Sequence, residues 1–99
     1  MVLQLLKALA HESRLRLLGL LATREHSVQE LAAGVALKEP TVSHHLAILR
    51  EAGLVDMREE GKQTFYSLNQ ERVAVCCGQL MIKFAPETEA AESIKSLDA

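Results

Sequence analysis

The chain has 99 residues, which fits a single domain. It is 48% hydrophobic but only 3% aromatic, with no Trp, so its core must be built from Leu, Val and Ala, the make-up of a small helical domain. The formal net charge of -2 excludes attraction to a polyanion through total charge alone. Four acidic residues after Pro86 (Glu87, Glu89, Glu92 and Asp98) face Lys95 alone. The preceding 86 residues therefore hold ten basic and nine acidic groups, a net of +1. Where the charges sit matters more than their sum.

The N-terminal stretch MVLQLLKALAHESR spaces Val2, Leu5, Leu6 and Leu9 as a helix does. It lacks a basic opening and a small-residue cleavage site, so it does not read as a signal peptide. No apolar run is long enough to span a bilayer, and the expected location is cytoplasmic, with no membrane partner. SRLRLLGLLAT predicts a second helix, with Leu17, Leu20 and Leu21 on one stripe and Leu18 widening it. Glu12 and Arg16 are placed for an i,i+4 ion pair, and His11 lies at the joint between the helices. His26 falls in what reads as a solvated loop.

SVQELAAGV predicts a short helix opened by a capping box of Ser27 and Glu30, with Gly34 as its end signal. After the link VALKE, Pro40 opens another helix that runs to Ala52 and stops at Gly53. A short helix, a tight link and a second helix make a helix-turn-helix. LVDMREEGKQTFYSL then changes period to two: Val55, Met57, Thr64, Tyr66 and Leu68 face inward from a β-hairpin turning at EEGK. Asn69 caps a last helix, on which Val73, Cys76, Cys77, Leu80, Met81 and Phe84 form one apolar stripe. Pro86 ends it. The expected domain spans residues 1–85, and residues 86–99 read as an acidic tail or truncated linker.

The helix from Pro40 contains adjacent histidines. Val42, Leu46 and Leu49 share one face, and His45 borders it. His44 points elsewhere, because neighbours on a helix diverge by about 100°. The pair therefore lacks the i,i+4 spacing of a helical metal site. No Asp or Glu stands in a recognisable relation to Ser43, and no nucleophile turn surrounds it, so nothing suggests an enzyme. Thr41, Ser43, His44 and Ala47 form a small polar face that fits the approach to base edges, with Ala47 able to touch a thymine methyl. A plain solvated helix face is the alternative.

TVSHHLAILREAGLV followed by MREEGKQTFYSL resembles the recognition helix and wing of the ArsR/SmtB family of bacterial repressors. KALAHESRLRLLGLL resembles its first two helices. The resemblance implies a mainly α fold with a small β-hairpin: a winged helix-turn-helix of four helices, two strands and a last helix. It implies a homodimer through the first and last helices, bound as a repressor to an inverted-repeat operator in double-stranded DNA. Release would follow a metal, redox or other small effector. The recognition residues carry over onto Thr41, Ser43 and His44, and the wing onto Arg58, Lys62 and Gln63. Lys38 and Arg50 are further phosphate candidates.

The chain departs from the family where metal would bind. An ELCVCDL-like cysteine pair is replaced by EHSVQEL, with Ser27 and Gln29 at the cysteine positions, and no histidine follows Leu68. No metal site or certain cofactor is therefore assigned. Cys76 and Cys77 remain as thiols for a thiophilic metal or metalloid, or for oxidation in a redox-sensing regulator. Packing on the apolar stripe is the favoured reading, since buried Cys behaves as a small hydrophobe. The near-neutral body also leaves open a winged helix used as a protein-interaction module.

Overall fold

In the computed structural model, residues 2–89 and Glu92 are described. Lys95 and Asp98 of the expected tail lie outside them. Five helices and a small sheet follow in the order α1 (Val2–Leu9), α2 (Glu12–Leu21), β1 (His26–Ser27), α3 (Val28–Val35), α4 (Glu39–Glu51), β2 (Val55–Glu60), β3 (Gln63–Leu68) and α5 (Gln70–Phe84).

Three of the helices start where a side chain satisfies free backbone groups. His11 caps α2, its Nδ1 accepting from the Ser13 N–H at 3.1 Å. Ser27 caps α3 through the full reciprocal box. Its Oγ accepts from the Glu30 N–H at 3.2 Å, and Glu30 Oε1 accepts from the Ser27 N–H at 3.0 Å. Asn69 accepts from the Arg72 N–H at 2.9 Å to open α5. Glu12 and Arg16 form their exposed pair at 3.1 Å.

Gly34 does not end α3. The helix continues to Val35, and Ala36 takes the left-handed conformation at φ 56° while the Leu37 N–H reaches back to Ala32 O at 3.1 Å. Gly34 serves packing: a Cβ there would come within 2.7 Å of the Leu20 side chain on α2.

The sheet holds three strands, in the order β1-β3-β2, and all pairs are antiparallel. The hairpin register pairs Val55 with Leu68, Met57 with Tyr66 and Glu59 with Thr64. That alignment puts the inward residues of both strands on one face. The short strand β1 was not expected. It pairs His26 with Tyr66 and Ser27 with Phe65, and it places His26 at 6% exposure, not in a solvated loop. The His26 Nδ1 lies 2.8 Å from the Arg24 carbonyl oxygen. Two residues cannot display a period, so only the pairing with β3 defines this strand.

The core joins every element except β1. Leu5 and Ala8 of α1, Leu17 and Leu21 of α2, Leu31 and Val35 of α3, and Val42, Leu46 and Leu49 of α4 pack with Leu54, Val55, Tyr66 and Cys76. The stripe of α5 is split. Cys76 is fully buried, whereas Cys77, Met81 and Phe84 are exposed. One chain covers only the side of α5 that lies on α1, and the apolar stripe is wider than that contact.

Gly53 turns the chain from α4 into the sheet at φ +80°, and a Cβ there would stand 3.0 Å from Arg72 Nε. Gly53→Ala should therefore lower unfolding stability by about 1–2 kcal/mol. Gly19→Ala, in an exposed helix interior with nothing within 4 Å of the new Cβ, should raise it by roughly 0.5–1 kcal/mol. Urea unfolding of both variants checks the pair, and a neutral Gly53→Ala would contradict the strain argument.

Candidate nucleic-acid interface

Helix α4 is fixed by what it buries. Val42, His45, Leu46 and Leu49 face inward, against α2, α3 and β2. The opposite side is thereby forced outward, and Thr41, Ser43, His44 and Ala47 are all exposed. These are small or polar groups, so another surface can approach the helix closely. Lys38 is exposed at its N-cap.

The hairpin brings a second group to the same place. Gly61 at φ +62° makes the turn, which leaves Lys62 and Gln63 exposed at the tip. A cleft of about 230 Å³ lies between hairpin and helices, lined by Ser27, Val28, Gln29, Glu39, Ser43, Lys62, Gln63 and Thr64. Ser43, Lys62 and Gln63 therefore meet across one opening. Thr41, His44 and Ala47 do not line this cleft. Arg50 stands near the far end of α4, its Nη1 3.6 Å from Met57 Sδ. The sequence marks Gln29 only at a lost cysteine position and Thr64 only as an inward strand residue, not as neighbours of Ser43. They reach the cleft only because β1 and α3 lie beside the wing.

Arg58 is placed differently from the other cations. It donates from Nε and Nη2 to both carboxylate oxygens of Glu25, at 2.9 and 2.7 Å, and from Nη1 to Glu60 at 2.7 Å. Its guanidinium carbon lies 4.7 Å from the centre of the Phe65 ring. The Arg58 hydrogen bonds hold the Glu25 carboxyl below its usual range, and the two carboxylates raise the Arg58 pKa in turn. Nearby, the Arg24 hydrogen bond and the Ser27 N–H lower Glu30 to about 2.

The two histidines separate as the helical geometry requires. His44 is exposed, and His45 is only 7% exposed. Arg14 Nε–H donates to His45 Nδ1 at 3.2 Å, and Arg14 Nη1 donates to Lys7 O at 3.0 Å and Ala8 O at 3.4 Å. The His11 and His45 rings lie 4.4 Å apart. Arg14 thus ties the end of α1 and the start of α2 to the buried side of α4, a role the sequence did not suggest. Burial lowers the His45 pKa, helped by His11, Arg14 and His44.

The cysteines do not converge. Cys76 enters the core and Cys77 faces outward, so they cannot act as one chelating dithiol. Among the described residues, no three His, Cys, Asp or Glu side chains gather to hold a metal ion.

Residues 11–57 match the family model of the bacterial regulatory proteins of the arsR family. Over 84 residues the chain is 49% identical to the biofilm growth-associated repressor of Agrobacterium fabrum, covering 84% of this chain and 72% of that protein. This chain belongs to the arsR family. Its fold is that of solved relatives. The transcriptional repressor BigR from Xylella fastidiosa is 38% identical, with a TM-score of 0.66 over 85% of this chain and 86% of that one. A homodimeric winged helix-turn-helix DNA-binding domain from Mycobacterium bovis is 30% identical, with a TM-score of 0.71 over 83% of this chain and 77% of that one. In this arsR-family chain, α3 and α4 are the helix-turn-helix and the β2–β3 hairpin is the wing. Like those relatives, it is a transcriptional regulator. No helix among the described residues is long and apolar enough to cross a membrane.

The His45 network predicts a pH dependence. With the folded-state pKa below the ordinary 6.5, the unfolded chain binds the proton more readily. The neutral ring therefore contributes stability that is fully present above pH 6.5 and lost as pH falls from there toward the lowered pKa. The urea midpoint should fall between about pH 7 and 5, with a smaller fall in His45→Gln, whose amide oxygen can still accept from Arg14. An equal fall in both proteins would refute the assignment to His45.

Proposed function

We propose that this chain is a homodimeric transcriptional repressor of the bacterial cytoplasm that binds an inverted-repeat operator. The observation that carries the reading is the shared opening of α4 and the wing: Ser43 faces Lys62 and Gln63 across one cleft. Thr41, Ser43, His44 and Ala47 would read base edges, while Lys38, Arg50, Lys62 and Gln63 meet phosphate or the minor groove. Residues 1–85 would form the DNA-binding and dimerisation domain, followed by an acidic tail or linker.

Dimerisation is supported by apolar surface that one chain leaves uncovered. Leu3 at 64% exposure and Leu6 lie on α1, and Met81 and Phe84 at 76% exposure lie on α5, which packs on α1. Ala74, Cys77, Met81 and Phe84 recur at the alternating three- and four-residue spacing of a two-helix seam. A two-fold axis through these helices would present two copies of α4 to half-sites about one helical turn apart. An effector that shifts the α1–α5 contact would change that spacing and release DNA.

Fluorescence anisotropy of a labelled duplex from immediately upstream of the chain's own gene tests the reading. The Ser43→Ala, His44→Ala double variant should lose about tenfold or more in affinity for the operator, with unrelated duplexes bound as before. Wild-type affinity in the variant would favour a protein-interaction module instead.

A further inference from the structure

We infer that Arg58 is a positioning residue that staples the wing to the helix-turn-helix through Glu25, and that it does not neutralise a phosphate in the operator complex. The inference rests on the operator-binding reading and gives one wing residue a different role within it. The bridge crosses the whole sheet. Arg58 lies on β2, its register partner Phe65 on the central strand β3, and Glu25 next to the start of β1. Phe65 pairs with Arg58 on one side and Ser27 on the other, so the guanidinium spans the sheet above this ring.

What the bridge secures is otherwise weakly held. β1 has only two residues, and its Ser27 is also the cap of α3. Through this strand the wing is joined to the helix that supports α4. A bidentate ion pair with a fixed fork geometry resists sliding of β2 and β3 past β1 far better than a single point charge would. The charge arrangement points the same way. Arg58 carries two carboxylates with it, so the cluster of Arg58, Glu25 and Glu60 has a net charge of -1. A phosphate approaching this cluster would be repelled. Lys62 at the tip has no such acidic partner among the described ion pairs.

Two conservative changes separate the roles. Arg58→Lys keeps the charge and loses the fork. Glu25→Gln removes a negative charge and loses the staple. A positioning role predicts that each weakens operator binding, by about fivefold, with the salt dependence unchanged. It also predicts faster amide hydrogen exchange across Val55–Leu68 in the free protein for both variants, with α2 and α4 unaffected. A phosphate role predicts the opposite sign for Glu25→Gln, which would bind more tightly, near wild-type binding for Arg58→Lys, and a salt slope lower by about 1 in Arg58→Ala. That pattern would overturn the inference. If wild-type protein binds no upstream duplex, the operator reading fails. The exchange data then decide the staple by themselves: wild-type exchange across the wing in both variants would overturn it.

Discussion

Everything the molecule presents to a partner depends on the burial of one side of α4. Val42, Leu46 and Leu49 have no exposed surface, and each such side chain contributes about 1.5–3 kcal/mol on leaving water. Together they fix the rotation of the helix about its axis. A rotation by one residue would bury Ser43 and Arg50 and expose Val42, so the face carrying Thr41, Ser43, His44 and Ala47 is set by the apolar residues behind it. His45 completes the inner face as a polar member whose nitrogen is satisfied by Arg14, which avoids the cost of an unpaired buried group.

The wing depends on the same core less directly. Leu54 and Val55 anchor the entry to β2, and Tyr66 anchors β3, but the tip extends beyond the packed region. Its position relative to α4 is set by pairing to β1 and by the ion pairs around Arg58. Binding surface and support thus differ in chemistry. The exposed face of α4 is held by hydrophobic burial, which ionic strength does not screen, and the wing in part by charge pairs that salt weakens.

Much of this was legible in the sequence because the signals are local. The capping box at Ser27 and Glu30, Pro40 and Gly53 around α4, the turn at Gly61 and the alternation of Val55, Met57, Tyr66 and Leu68 each operate within a few residues. What escaped is what depends on distant partners. β1 exists only because His26 and Ser27 meet Tyr66 and Phe65. Gly34 resembles a stop signal until Leu20 is seen above it. Arg58 reads as a wing cation because Glu25, 33 positions earlier, cannot be paired with it from spacing. The single apolar stripe on α5 proved to be two surfaces, since periodicity marks what avoids water and not which neighbour covers it.

The account stands on a two-fold pair of α4 helices facing DNA. The most direct measurement is a hydroxyl-radical footprint of the protein on the DNA upstream of its own gene. The account predicts two protected patches related by a two-fold axis, with centres about one helical turn apart, and flanking protection where the wings lie. A single patch, or even protection without boundaries, would contradict it.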